Sequence, residues 1–439
     1  MMNDNVPFYE YMGNGQRVPR DVVRVRFHPS VVEVDYGAFY GCKSLKKVVL
    51  NNGLQTIGRR SFYGCTSLES ITLPSTVTKI GMTAFQACTH LREVVLNNGL
   101  QTIRKTAFLG CKLLQSITLP STITNIGNSA FQACTVLREV VLNEGLLRIG
   151  RMTFAMCSSL ECIILPSTVT NINEGAFRDC SSLKKVVLNE GLKKIGNFAF
   201  GGCRSLQTIT FPSSVTEIGK DAFSKCSTLK EVVLNGGLEK IKFNAFSGCS
   251  SLESITIPTS VTEIAFMAFK DCNSLREVVC IEGLPKVECN TFCYCPTLER
   301  IIVPNLSTRL NAIIHSGQVD VQNKIQQYIN RGGIEWERGG AIYIPNVARS
   351  SNMWALVKER VDQIVKWIRY YEMKEATTLF ELALWKAKMD QQVEEDVYAP
   401  DRKKAKIDQV GDTDRHDRDL HRVEVPGPVK DAILQYLDE

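Results

Sequence analysis

Sixteen cysteines and five histidines are the side chains here best suited to covalent or metal chemistry. Twelve of the cysteines fall on a ruler, Cys42, Cys65, Cys88, Cys111, Cys134, Cys157, Cys180, Cys203, Cys226, Cys249, Cys272 and Cys295, each 23 residues after the last. A disulfide framework or a thiolate metal site needs thiols in pairs or converging clusters. These come singly, and side chains leaving successive turns in the same direction cannot meet disulfide geometry even where the Cα spacing allows it. The twelve therefore read as buried, reduced thiols that behave as small apolar side chains. Four cysteines leave the ruler: Cys162, and Cys280, Cys289 and Cys293, which gather near Cys295 at a spacing that matches no common zinc signature. His28, His90, His315, His416 and His421 do not pair with a nucleophile at any motif spacing. There is no phosphate-cradling glycine loop, paired metal-binding histidine motif or nucleophile elbow. The expectation is no enzyme, with no catalytic, metal-ligating or cofactor-binding residue.

The elements that carry the cysteines repeat with them. A phenylalanine stands three residues before each one, Phe39 through Phe292, and a leucine three after, Leu45 through Leu298. A β-branched residue follows, as at Val48, Ile71, Val94 and Ile117, and a second aliphatic anchor recurs from Ile57 and Ile80 to Val287. A fixed period of this length marks a solenoid. Leu45-x-x-Val48-x-Leu50 fits the short strand of a leucine-rich repeat, with Val48 and Leu50 inward, because residues two apart share a strand face. Val22, Val25, Phe27 and Phe39 fit the frame without the cysteine and read as a degenerate N-terminal capping unit. Two classes of unit alternate, one carrying Val49-Leu50-Asn51-Asn52-Gly53-Leu54 and the other Leu73-Pro74-Ser75-Thr76. The prolines from Pro74 to Pro304 lie just past the strand, where a missing N–H does not interrupt the ladder.

The run Ile126-Gly127-Asn128-Ser129-Ala130-Phe131-Gln132-Ala133-Cys134 resembles the signature of BspA-type leucine-rich repeats, and it recurs in register over roughly residues 22–304. The resemblance implies a binding and recognition architecture and brings no catalytic residues. The string from Tyr370 to Lys386 and the ending Val425-Pro426-Gly427-Pro428-Val429-Lys430 look like the shared tail of a diatom multigene set of such proteins, which implies no established activity.

Outward strand positions form three columns. One alternates Val49, Thr72, Val95, Thr118, Val141, Ile164, Val187, Thr210 and Val233. Beside it run Glu93, Glu139, Lys185 and Glu231, and the next column alternates through Lys46, Glu69, Arg92, Gln115, Arg138, Glu161 and Lys184. Opposite charges on neighbouring strands stabilise a sheet by roughly 0.2–1 kcal/mol per pair and need no ligand to explain them. An exposed valine and isoleucine stripe is not explained that way, since it works against solubility. Val95, Thr118, Val141, Ile164, Val187, Thr210, Val233, Glu93, Glu139, Lys185 and Glu231 are accordingly the expected protein-binding residues.

The ruler ends after Pro304. Beyond it, 320–330 reads as a short helix and Ile334–Trp336 with Ala341–Ile344 as a hairpin, while two Arg-Gly-Gly triplets read as turns. The apolar residues of 352–371 keep helical 3-4 spacing, and a second amphipathic segment follows around 378–387. These helices read either as a cap on the solenoid or as a module for docking or self-association through 352–371. The organisation expected is an N-terminal extension at 1–21, the solenoid at 22–304, a hairpin and helical cap at 305–391, a disordered charged linker at 392–425 and a short helix at 426–439. The fold class is thus an α/β repeat, a solenoid with a parallel sheet and a small, mostly helical C-terminal region.

With 44% apolar residues, 22% charged residues and a net charge of +6, the 439-residue chain can build a continuous core and carries no nucleic-acid footprint by composition alone. The start, Met1-Met2-Asn3-Asp4-Asn5-Val6, lacks a basic, apolar leader, and no apolar run reaches membrane-span length. These features point to a cytoplasmic protein, with Arg402-Lys403-Lys404-Ala405-Lys406 as a candidate nuclear import signal. The function expected is non-catalytic recognition or scaffolding of a protein partner on the strand face. The alternatives are cell-surface adhesion of the BspA type and docking through the C-terminal helices.

Overall fold

In a computed structural model of the chain, the described residues are 6–302 apart from 281–284 and 289, together with 335–336, 341–343 and seven isolated positions between 363 and 384. The chain divides into two units, Met1–Glu372 and Met373–Glu439, and the solenoid lies in the first. Each 23-residue turn contributes one strand of three or four residues and one of two, as in Ser70–Thr72 and Lys79–Ile80. Alternation within these strands is strict. Ser70 and Thr72 are exposed around a buried Ile71, and Ile80 is buried beside Lys79. The short strands, from Glu33–Val34 to Lys286–Val287, form one continuous 12-stranded parallel sheet in which isoleucine faces isoleucine from turn to turn.

The longer strands behave differently. Ser116–Thr118 pairs with Glu139–Val141, and Cys162–Ile164 with Lys185–Val187, but no ladder joins Glu139–Val141 to Cys162–Ile164. The same interruption recurs between Glu93–Val95 and Ser116–Thr118 and between Lys185–Val187 and Thr208–Thr210, a step of 46 residues. Pro120 and Pro166 supply a local reason. Each occupies the register at which the turn before it carries Asn97 or Asn143, and a proline has no N–H to donate to its predecessor.

The segment holding the phenylalanine and cysteine is not a helix, which corrects the α/β assignment: the described repeats consist of strands and turns. Two residues per turn stand at positive φ, Thr83 at 57° and Ala87 at 60° in one turn, Ser129 at 55° and Ala133 at 58° in another. Each left-handed residue ends the local 3-residue bonding, exemplified by Cys88 N–H to the Phe85 carbonyl at 3.2 Å, and redirects the chain. The freed N–H groups bond sideways to the next turn, Phe85 to the Ala107 carbonyl at 2.7 Å and Ala87 to that of Leu109 at 2.8 Å. Backbone pairing therefore closes this third side as well.

Phenylalanines from Phe39 to Phe292 stack ring on ring, with centroids 4.9 to 5.6 Å apart and planes within 16° of parallel. This is close to the roughly 4.8 Å between neighbouring strands. Side-chain ties add further bonds from turn to turn. Each column thiol from Cys65 to Cys295 donates to the phenylalanine carbonyl 26 residues earlier, Cys134 to Phe108 at 3.3 Å for example. The two alternating motifs solve one problem in two ways. Asn97 donates back to the Pro74 and Val77 carbonyls at 2.7 and 3.0 Å, while Thr122 donates back to the Leu100 carbonyl at 2.6 Å.

At the N-terminal end, Tyr9–Tyr11 adds a strand in parallel with Arg24–Phe27. The buried Tyr11 ring lies 5.0 Å from Phe39, and its hydroxyl donates to Asp35 at 2.7 Å. Tyr9–Tyr11, within the segment 1–21 read from sequence as an extension, thus adds to the core of the first turn. At the other end, Arg300–Ile302 pairs antiparallel with Ala341–Tyr343, which pairs with Glu335–Trp336, where the sequence expects a hairpin.

Other expectations for the C-terminal third need correction. Among the described residues every delimited element is a strand, and the helical readings at 320–330, 352–371 and 378–387 fall outside them apart from isolated positions. No helix is delimited among the described residues, so a helical C-terminal region and self-association through 352–371 are withdrawn. Periodicity of apolar residues alone carried both readings. The linker 392–425, the basic run 402–406 and the closing helix also lie outside the described residues.

Two stability tests follow. Gly110 stands at φ 73° with open space around a would-be Cβ, whereas Ala133 stands at 58° one turn later in the same column. Gly110→Ala should lose about 1 kcal/mol and Ala133→Gly gain a similar amount in urea unfolding, because only a side chain makes this conformation strained. In the 12-stranded sheet, burial alone would raise the Glu217 carboxyl, but its bonds to Lys242 at 2.8 Å and Lys194 at 3.0 Å outweigh this and hold it low. A carboxyl lowered by folding adds stability above its unfolded value and loses it as pH falls through the folded one. Glu217→Gln should therefore unfold with a shallower dependence on pH in the acid range.

Candidate functional site

All eleven residues expected to bind protein are exposed on the face of the longer strands, because each alternates with a buried neighbour such as Val140 or Ile163. Val49, Val95, Val141, Ile164, Val187 and Val233 form an aliphatic line along it, 36 to 60% exposed, with Ile164 the most open. Threonines 72, 118 and 210 interrupt the line with hydroxyls.

Shallow grooves lie at three of the places where the ladder is missing. One of about 290 Å³ lies between Val95 and Thr118, walled by Glu93, Leu96 and Pro120. The next, about 370 Å³, lies between Val141 and Ile164, with Glu139, Glu161, Cys162 and Pro166 around it. A third of about 280 Å³ lies between Val187 and Thr210, beside Lys185 and Pro212. Nine of the eleven expected residues thus line three equivalent grooves, and Glu231 with Val233 begins the following step. Sequence reasoning found the stripe but missed the grooves. The signal available was the proline recurring every 46 residues at the register of an asparagine.

Charge on this face is mixed. Lys184 pairs with Glu161 at 3.1 Å, and Arg300 approaches Glu277 at 3.9 Å. Acidic side chains rim the central groove through Glu139, Glu144 and Glu161, with Arg138 beside them. No group of three or more potential metal-ligating side chains converges among the described residues. Cys280 and Cys295 are buried, Cys293 is half-buried, and Cys289 lies outside the described residues.

The cysteine column is chemically quiet. Burial pushes Cys88, Cys134 and Cys226 up to about 12, only partly offset by a backbone bond to each sulfur. Cys162 differs, being half-buried within the central groove.

The family model described as "BspA type Leucine rich repeat region (6 copies)" matches residues 21–134, 101–230 and 193–319. The chain belongs to the BspA-type leucine-rich-repeat family. A leucine-rich repeat protein from Bacteroides ovatus is 28% identical with a TM-score of 0.56, over 64% of this chain and 79% of that one. A leucine rich cell surface protein from Faecalibacterium prausnitzii is 26% identical with a TM-score of 0.44, covering 67% and 89%. The pneumococcal vaccine antigen PcpA is 22% identical with a TM-score of 0.44, covering 67% and 77%. No curated protein matches the chain significantly. The BspA-type fold is a non-catalytic protein-interaction module.

Two expectations change here. The family match ends at 319, so the likeness of the C-terminal tail to the diatom set has no support and is dropped. The cytoplasmic location, with its nuclear variant through 402–406, is withdrawn. The thiol argument for a reducing compartment fails, because sulfurs buried this deeply are shielded in any compartment. Among the described residues no helix is long and apolar enough to cross a membrane.

Thiol labelling tests this assignment. At about pH 8, iodoacetamide should alkylate Cys162 and Cys293 among the described cysteines and reach the column only after unfolding. Labelling of Cys134 in the native chain would contradict the packing.

Proposed function

We propose that this BspA-type solenoid is a recognition protein that binds a protein partner along the face of its longer strands, in a cell-surface setting. The observation that carries the reading is the aliphatic line from Val49 to Val233, exposed at every second turn where solubility would favour polar side chains. Grooves beside Val95, Val141 and Val187 give a partner's side chains somewhere to insert. The acidic and basic rim residues Glu93, Glu139, Lys185 and Glu231 set register and exclude wrong partners, since rim charges act more on specificity than on affinity. A surface setting follows the reading of the F. prausnitzii protein as a cell surface protein.

Val141→Lys with Val187→Lys should abolish partner capture while leaving the melting temperature within a few degrees, because both positions are solvent-facing. A control pair in the other sheet, Thr102→Lys with Asn171→Lys, should capture normally. Equal capture by both variants would rule out the strand face. Labelling of intact cells with a membrane-impermeant biotin reagent checks the setting, and a chain labelled only after lysis would refute it.

A further inference from the structure

Two stretches of the solenoid carry the same ten residues. Both 48–57 and 94–103 read Val-Val-Leu-Asn-Asn-Gly-Leu-Gln-Thr-Ile. Each holds an asparagine followed by a glycine, Asn52–Gly53 in the first and Asn98–Gly99 in the second, with both asparagines exposed. Such a step is open to loss of the side-chain amide, because glycine has no Cβ to keep its backbone nitrogen away from the preceding carboxamide. With the local sequence identical, a difference in reactivity between the two can come only from the fold.

The fold does treat them differently. In the second stretch Asn97 acts as a clamp: its Oδ1 accepts the Gly99 N–H at 2.6 Å while its Nδ2 donates to the Pro74 and Val77 carbonyls. A Cβ on Gly99 would stand 2.7 Å from the Ser75 carbonyl, so the glycine is pressed as well as bonded. Asn143 and Asn189 clamp Gly145 and Gly191 in the same way, at 2.7 and 2.8 Å, and there Glu144 and Glu190 stand in place of the reactive asparagine. In the first stretch Asn51 makes the same two donations, to the His28 and Val31 carbonyls. Its buried Oδ1, however, has no partner, and neither has the exposed Gly53 N–H among the described residues. The nearest atom to a Cβ on Gly53 would be the Pro29 carbonyl oxygen, at 3.4 Å. The other two Asn-Gly steps of the chain are each held by one member. Gly15 N–H donates to Asp35 at 2.9 Å, and the Asn235 carboxamide donates to the Phe211 carbonyl. Of the four steps, Asn52–Gly53 is the one with both reacting groups unbonded among the described residues.

We infer that Asn52 is a site of spontaneous deamidation in the folded protein, and that the Asn97 clamp protects Asn98 from the same reaction. The Gly53 nitrogen attacks Cγ of Asn52. A C–N bond forms, the Cγ–Nδ2 bond breaks, and Nδ2 takes up the Gly53 proton and leaves as ammonia. Water then opens the cyclic imide at either carbonyl, leaving aspartate or isoaspartate, with no oxidation or reduction. At Gly99 the nitrogen must first give up its bond to Asn97 and turn away from it, which slows the attack. The product carries a carboxylate at the register that Glu144 and Glu190 hold in later turns. Asn98, Glu144 and Glu190 each line one of the three grooves, so this register sets rim charge on the strand face. Deamidation at Asn52 extends its acidic part toward the N-terminal end, while the clamp keeps the groove beside Asn98 neutral.

The test incubates the full chain in mildly alkaline buffer, folded and in urea, and follows conversion of each asparagine by mass spectrometry. Trypsin releases residues 48–59 and 93–104 as separate peptides, and their fragment masses locate the converted position. In the folded chain Asn52 should convert at least about threefold faster than Asn98, the rate equivalent of one net hydrogen bond. In urea the two should convert at the same rate. Asn97→Ala, which removes the clamp, should raise the Asn98 rate toward that of Asn52 in a chain that still melts cooperatively. Equal rates in the folded wild type, or a faster Asn98, would overturn the inference. A difference that persists in urea would do the same, since it would owe nothing to the fold. So would an Asn98 still protected in folded Asn97→Ala. If that variant does not fold, the wild-type comparison decides alone.

Discussion

Everything in this solenoid depends on keeping each turn in register with the next so that no corner carbonyl or N–H is left without a partner. An unsatisfied buried polar group costs about 1–3 kcal/mol, and a repeat array multiplies that cost by the number of turns. Sideways backbone bonds such as Phe85 to Ala107 meet part of the need, asparagine and threonine side chains reach further carbonyls, and the thiols add a second bond to carbonyls already paired within their turn. The cysteine column makes sense in these terms. A thiol is small enough to bury beside the stacked phenylalanines and gives the carbonyl 26 residues back a second donor besides the backbone N–H it already accepts, which alanine would not.

Fixed register also turns a sequence column into a physical line, which is why the exposed stripe could be read early. Val141, Ile164 and Val187 are exposed for the same reason that Val140, Ile163 and Val186 are buried, the two-residue alternation of a strand. Grooves were harder to foresee, because they arise from pairing that is absent between particular neighbours. A proline at the register of an asparagine hints at it, but the consequence appears only when strand pairs are laid side by side.

What the sequence misread has physical causes too. In the run from Ile126 to Cys134, Ser129 and Ala133 take positive φ, and nothing in a serine or alanine announces that conformation. Glycines at 41, 64, 110 and 202 in the same column as Ala133 were the available signal. Tyr11 was overlooked because a capping strand lies outside the repeat and shares none of its period, although it closes the phenylalanine stack. Location was misread because a missing leader and unpaired thiols were treated as signs of a reducing compartment, while the thiols are explained by packing alone.

The most direct measurement of the central claim is site-specific photocrosslinking. A benzoylphenylalanine placed at Ile164, in the middle of the aliphatic line, and another at Asn171, on the opposite sheet of the same turn, would each be irradiated in the presence of the partner. The account predicts an adduct from position 164 and none from 171. An adduct from 171 with none from 164 would place recognition on the other sheet and contradict it.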